Sequence, residues 1–129
     1  MKKTYLLMAG ICALGTQCLL QNTQAAAGGD PIKIGAIFSV TGPASFLGAP
    51  EEKTVRMFVD KVNAAGGING RKIELVLKDS GGSPEKAVSF AKQLIEEEKV
   101  LAIIGPSTSG ETMQIKALCE ENEKMSCCR

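Results

Sequence analysis

The feature that most constrains the fold is a buried-strand pattern followed at once by a small, polar loop. Residues 32–38, IKIGAIF, form a short apolar run with β-branched residues, which is typical of a buried strand. Residues 39–45, SVTGPAS, are small and polar, as expected of a loop at the carboxyl end of a strand. Open parallel sheets bind their ligands at these carboxyl ends. Functional residues are therefore expected in the loops that follow the strands.

Helix and strand patterns alternate after this first strand. The spacing predicts helices over residues 51–65, from Pro84 onward and over residues 111–123, with further strands over residues 72–78 and 100–104. Pro50 suits the entrance of the first helix, and Ser83 suits the N-cap of the second. The inward-facing residues are predicted to be Val55, Phe58, Val59 and Val62 in the first helix, Ala87, Val88, Ala91, Leu94 and Ile95 in the second, and Ile115, Leu118 and Cys119 in the third. The order β-α-β-α-β-α predicts an α/β fold with a parallel sheet and the first strand near its middle.

The end of the chain departs from this alternation. Residues 125–129 are predicted to be too few for a fourth strand, which would leave residues 100–104 as an unprotected apolar edge. We therefore interpret the chain as the amino-terminal part of a larger protein.

The amino terminus has the order of a secretory signal peptide. Lys2 and Lys3 precede apolar residues 5–20, and Ala25–Ala27 offer small residues at a cleavage site. We expect a signal peptide over residues 1–27, with residues 28–129 as the exported domain; a membrane anchor is the alternative. The whole chain carries a net charge of +1, and without the two lysines it has 13 basic and 14 acidic residues. This near-neutral balance gives no electrostatic support for binding nucleic acid or an anionic membrane.

The sequence offers little for catalysis. It contains no histidine, which removes the commonest general base and the commonest metal ligand. Cys119, Cys127 and Cys128 lack the spacing of a metal site. Asp79, at the end of the second predicted strand, is either a lone base or, as we favour, the cap of a turn or of the next helix. We predict no enzyme activity, cofactor or metal.

The loop at residues 105–112, GPSTSGET, lies where a phosphate-binding loop would lie, between a buried strand and a helix. Glu111 occupies the position that such a loop gives to lysine, and its charge would repel a polyphosphate. Hydroxyls of Ser107, Thr108, Ser109 and Thr112, with the amides of a helix N-terminus, could instead hold one carboxylate. The alternative is that Ser107 or Ser109 only caps the helix.

Phe46 and Leu47 are apolar residues in the otherwise polar first loop. They either close over a ligand or tuck under the following helix as a hydrophobic staple.

Four motifs occur together in register: residues 32–48, residues 63–72 (NAAGGINGRK), residues 83–87 (SPEKA), and residues 103–106 (IIGP) with Ser109. In order and spacing they resemble the periplasmic leucine/isoleucine/valine-binding proteins of ABC importers, from Pro31 to about Glu123. The resemblance implies the type I periplasmic-binding-protein fold, of which this chain would hold part of the first lobe.

The same resemblance implies a periplasmic receptor that closes over an amino acid and presents it to an ABC permease. It assigns the contact with the ligand's α-carboxylate to Ser109. Leu47, with Phe46 beside it, stands where relatives often have an aromatic residue in the cleft. Gly82 and Thr108 stand where many relatives have a disulfide bridge, which is therefore absent here. The alternatives are a ligand-sensing domain of a regulatory system and an inactive frameshifted or split product.

Overall fold

The computed structural model describes residues 29–123 and 125–127. The predicted signal peptide lies outside the described residues. The elements in chain order are β1 (Ile32–Phe38), α1 (Ser45–Ala64), β2 (Ile73–Asp79), α2 (Pro84–Glu96), β3 (Ala102–Ile104), α3 (Ser109–Glu121) and β4 (Met125–Cys127). The alternation of strands and helices is the predicted one, with one strand more than expected.

The strands form one parallel sheet in the order β2-β1-β3-β4. The predicted central place of the first strand is confirmed. In the register, Phe38 at the end of β1 lies beside Asp79 at the end of β2, and Ala36 lies beside Ile104 at the end of β3. The loops after β1, β2 and β3 therefore leave the sheet at the same edge.

The prediction that the chain ends too soon for a fourth strand was wrong. Met125–Cys127 pairs with Ala102–Ile104, so β3 is covered on both sides and is not a sheet edge. Three residues are enough because the neighbouring strand already presents an ordered row of hydrogen-bonding groups.

The third strand is shorter than predicted, and only Ala102–Ile104 belongs to it. The amide of Val100 donates to the carbonyl of Leu94 at the end of α2, which draws the chain back toward that helix. Leu101 was expected to be buried but is 64% exposed, although its amide still bonds the carbonyl of Lys33.

Helix α1 begins at Ser45, six residues earlier than predicted, so Pro50 lies inside the helix rather than at its entrance. Its first turn packs closely on the loop after β1, because Gly48 is buried and a Cβ there would collide with the backbone of Ser39. The helix contacts β1 and β2. Phe58, predicted to face inward, is 56% exposed.

The core lies between the sheet and the pair formed by α2 and α3. The predicted cap Ser83 and first residue Pro84 of α2 are confirmed. The buried apolar side chains of this core are Ile37, Ala87, Ala91, Leu94, Ile95, Val100, Ile103, Ile115 and Cys119, with Val88 and Leu118 packed against them. The predicted inward faces of α2 and α3 are therefore confirmed. In the part of the chain that the structure describes, no helix combines the length and apolar character needed to cross a membrane.

Candidate ligand-binding site

Three loops meet at the carboxyl edge of the sheet, after β1, β2 and β3, because the ends of the three strands lie side by side. This is the edge at which the sequence predicts function. The loops supply mainly hydroxyl groups and backbone amides, and the adjoining ends of β2, α1 and α3 supply three carboxylates, Asp79, Glu51 and Glu111, whose hydrogen bonds define the local geometry.

Asp79 joins the first two loops. Its Oδ1 accepts from the amides of Val40 (2.9 Å), Thr41 (3.2 Å) and Gly81 (3.0 Å), and its Oδ2 accepts from the Thr41 hydroxyl (2.7 Å). Slight burial raises the pKa of the Asp79 carboxyl, but the hydrogen bonds from Thr41, Gly81 and Val40 together outweigh it and leave the pKa lowered. The prediction that Asp79 caps a turn is confirmed.

A buried polar cluster lies between the ends of β1 and β2 and the start of α3. Ser39, Ser80 and Glu111 are each 0% exposed. The Ser39 hydroxyl donates to Glu111 Oε2 at 3.1 Å and lies 3.4 Å from the Ser80 hydroxyl. The Thr108 hydroxyl donates to the same Oε2 at 2.6 Å. The cluster thus ties the loop after β3 to the loops after β1 and β2.

Ser107 links the third loop to the loop after β1 and to α1. Its hydroxyl oxygen accepts from the amide of Ser39 at 3.0 Å, and its proton goes to Glu51 Oε2 at 2.5 Å. Both contacts are made within the described residues.

The N-cap of α3 is Thr108, whose hydroxyl accepts from the amide of Glu111 at 3.4 Å. The alternative that Ser107 or Ser109 caps the helix was therefore wrong. The hydroxyl of Thr112 donates back to the carbonyl of Thr108 at 3.0 Å. Ser109 is the first residue of the helix and is exposed, as is Gly110.

The first turn of α3 presents free donors to solvent. Among the described residues, no hydrogen bond engages the Ser109 hydroxyl or the amides of Ser109 and Gly110. Nothing lies within 4 Å of the position that a Cβ on Gly110 would occupy, so the approach to this turn is open. Free amides at a helix N-terminus, together with a hydroxyl, can bind an anionic oxygen.

Phe46 and Leu47 lie in the first turn of α1, on the same side of the sheet edge as the loops. Phe46 is 73% exposed and Leu47 is 39% exposed. Neither side chain is buried under the helix as a staple would be. Their contact with a ligand stays a prediction, as do the contacts assigned to Ser107, Ser109 and Thr112.

Cavities lie at both edges of the sheet in the described part of the chain. One, of about 370 Å³, lies beside the loop after β3 and is lined by Phe38, Pro50, Glu51, Thr54, Val55, Ile104, Gly105 and Pro106. A larger one, of about 800 Å³, lies at the opposite edge and includes the ion pair between Lys33 and Glu98. The larger cavity lies away from the carboxyl ends of the strands, so its size does not mark the candidate site at that edge. Within residues 29–123, no group of histidine, cysteine, aspartate and glutamate side chains could hold a metal ion.

Sequence reasoning did not identify the roles of Glu51, Ser39 and Glu111. Glu51 accepts a hydrogen bond from Ser107, 56 positions away, and Ser39 donates one to Glu111, 72 positions away. No local pattern in the sequence indicates contacts over such separations. A local signal did exist for Thr108, since residues 108–111 read T-S-G-E, the spacing of a capping box.

A layered parallel α/β domain with unpaired donors at its carboxyl edge is the architecture of a small-molecule-binding lobe. The chain belongs to the periplasmic binding protein family, whose characteristic sequence pattern matches residues 31–126. This is a family of binding proteins rather than enzymes.

Relatives and solved structures agree with this assignment. The chain is 34% identical over 91 residues to the Leu/Ile/Val-binding protein BraC3 of Rhizobium johnstonii, which covers 70% of this chain and 24% of that protein. It is 36% identical over 86 residues to the chemotactic signal transduction system substrate-binding protein BasB of Halobacterium salinarum, covering 65% and 21%.

Among solved structures, the chain resembles the branched-chain amino acid transporter substrate-binding protein LivJ of Streptococcus pneumoniae, crystallised in complex with isoleucine. The TM-score is 0.74 at 37% identity, over 76% of this chain and 28% of that one. The predicted type I periplasmic-binding-protein fold, as a partial lobe, is confirmed. The chain spans about a quarter of the length of these relatives.

Proposed function

We propose that this chain supplies the carboxylate-binding part of an amino-acid receptor that serves an ABC importer. The observation that carries the proposal is the first turn of α3, where Ser109 offers a hydroxyl and an amide, and Gly110 a second amide, all free of partners within the described residues. The α-carboxylate of an amino acid is a single negative charge that three such donors can bind.

The relatives support a branched aliphatic side chain as the specificity, since several are named Leu/Ile/Val-binding proteins. Phe46 and Leu47 are exposed beside the loop after β1 and offer apolar surface to such a ligand. Ser107, in the loop before α3, and Thr112, in the first turns of α3, stabilise the position of Ser109 through their hydrogen bonds to Glu51 and to the carbonyl of Thr108.

The proposal extends to location and partner. Residues 1–27 act as a signal peptide that directs the chain to the periplasm, and the loaded receptor delivers its ligand to an ABC permease. The apolar stretch at residues 5–20 and the alanines at 25–27 support export.

The test is substitution of Ser109 in a chimera. Residues 31–123 of this chain would replace the matching segment of the Streptococcus pneumoniae protein, so that the turn is presented within a complete binding protein. Ser109→Ala should weaken isoleucine binding in calorimetry by about 10- to 150-fold, because a hydrogen bond to a charged group is lost.

The matched control is Ser89→Ala, which removes an exposed hydroxyl from α2, remote from the sheet edge. It should leave the dissociation constant unchanged. An unchanged constant for Ser109→Ala would remove Ser109 from the site. Absence of binding by the unsubstituted chimera would contradict the proposed function itself.

A second function, ligand sensing for a signalling system, is favoured by one observation: the relative from Halobacterium salinarum is named as part of a chemotactic system. Copurification with a permease after cross-linking supports import. Copurification with a membrane signal transducer supports sensing instead.

A further inference from the structure

Glu111 is an acidic residue whose side chain is completely buried. Its side chain is 0% exposed, and its Oε1 has no hydrogen-bond partner although the atom is buried. A buried polar atom without a partner costs free energy and calls for an explanation. None of the ion pairs among the described residues includes Glu111.

The other oxygen of the same carboxylate is well satisfied. Oε2 accepts two hydroxyl protons, from Thr108 at 2.6 Å and from Ser39 at 3.1 Å. Oε2 thus uses both of the acceptor positions that a carboxyl oxygen offers. The remaining stabilisation comes from the N-terminus of α3, because Glu111 is the third residue of that helix.

The position places this charge directly behind the free donors. Glu111 follows Ser109 and Gly110 in the same helical turn, and its Oε2 lies 2.6 Å from the hydroxyl of the N-cap residue Thr108, at the N-terminus of that helix. Its field therefore reduces the positive potential of the helix terminus where an anion would bind. Burial limits the screening of that field by solvent.

We propose that Glu111 is a specificity-determining residue of this site, whose buried charge makes the first turn of α3 accept a zwitterion in preference to a ligand of the same shape that carries only a negative charge. The Glu111 charge repels the carboxylate of a ligand and attracts an ammonium group beside it, so the attraction offsets part of the repulsion. A 2-oxo acid or a phosphate ester has no ammonium group and is only repelled. The inference rests on the proposed function and refines the ligand class of that site.

A purely structural role for Glu111 makes a different prediction. If the side chain served only to tie Thr108 to Ser39, then glutamine, whose amide oxygen can accept both hydroxyl protons, would preserve the selectivity. Removal of charge and removal of the tie are therefore separable by two substitutions at one position.

The experiment uses the chimera with two probes, isoleucine and 3-methyl-2-oxopentanoate, which share the carboxylate and the side chain but differ in the ammonium group. The measured quantity is the ratio of the two dissociation constants. In Glu111→Gln the preference for isoleucine should fall by about 2- to 30-fold, the range for a charge at a helix terminus. Glu121→Gln, the same change at the exposed far end of α3, should leave the ratio unchanged.

Glu111→Ala tests the structural role of the side chain. It leaves the hydroxyls of Ser39 and Thr108 without their acceptor, so it should lower the unfolding temperature and weaken both probes. If glutamine is not accommodated, Glu111→Met removes the same charge at similar volume and should show the same fall in the ratio.

An unchanged ratio in a folded, charge-removed variant would overturn the inference and leave the proposed function standing. Failure of the unsubstituted chimera to bind either probe would overturn the proposed function, and the inference with it.

Discussion

At the scale of single residues, Asp79 shows how one carboxylate can order two loops. Its four hydrogen bonds reach across 38 and 39 positions to Thr41 and Val40 and two positions forward to Gly81. Each of these hydrogen bonds stabilises the charged form of the carboxyl, and together they lower its pKa despite the opposing effect of burial. The charge of Asp79 therefore contributes to stability.

The sign of its pH dependence follows from the lowered pKa. The contribution is fully present above the ordinary pKa of 3.8 and is lost as the pH falls through the lower value of the folded state. Asp79→Asn should lower the free energy of unfolding near neutral pH. The difference in this free energy between the variant and the parent should become smaller in acid. Urea unfolding measured from about pH 7 to about pH 2 tests this.

Asp60→Asn is the control, because Asp60 is exposed on α1 and makes no hydrogen bond or ion pair among the described residues. A destabilisation by Asp79→Asn that stays constant over the whole pH range would contradict a role for the charge.

The sequence predicted the role of Asp79 because the signal is local: an acidic residue ends a strand, and Gly81 and Gly82 turn the chain after it. No local signal in the sequence predicted the burial of Glu111. It depends on a hydroxyl from Ser39, 72 positions away, and on the packing of α3 against the sheet. Non-local polar contacts of this kind cannot be read from spacing.

At the scale of elements, the well-predicted parts are those in which periodicity and end signals agree. Helix α2 has a capping serine, a proline at its first position and a continuous apolar stripe, and all three are confirmed. Helix α1 has conflicting signals. Pro50 indicated an entrance, but residues 45–49 before it also take helical geometry because Gly48 lets the turn pack on Ser39.

The stripe of α2 should carry much of the stability of the core. Leu94 is 0% exposed and approaches Gly35 of β1 so closely that a Cβ on that glycine would lie 2.9 Å from Leu94 Cδ1. Leu94→Ala should lower the free energy of unfolding by about 2–5 kcal/mol, as expected for a cavity in a packed interior.

Leu101→Ala is the matched control, since this leucine is 64% exposed, and it should change the free energy by less than about 0.5 kcal/mol. Equal effects of the two substitutions in urea unfolding would show that Leu101 belongs to the core after all.

At the scale of the whole molecule, the described residues form part of one lobe. The sequence also predicts a processing event. Export through the signal peptide should leave a mature amino terminus within a few residues of Gly28. Mass spectrometry of periplasmic material from an expressing bacterium measures this directly.

Bulky residues in place of Ala25 and Ala27 should block the cleavage, because signal peptidase sites require small residues there. A periplasmic product that still begins at Met1 would contradict the prediction of residues 1–27 as a cleaved signal peptide.

The unequal use of hydroxyl groups at the sheet edge has an evolutionary consequence. The hydroxyls of Ser39, Ser80, Ser107, Thr108 and Thr112 are all engaged in internal hydrogen bonds, whereas among the described residues no side-chain hydrogen bond engages that of Ser109. If Ser109 binds the ligand as proposed, changes at position 109 alter what the chain recognises with little effect on its folding, while changes at the other five positions disturb the scaffold first. New ligand preferences can arise at this edge by single substitutions without a prior gain in stability.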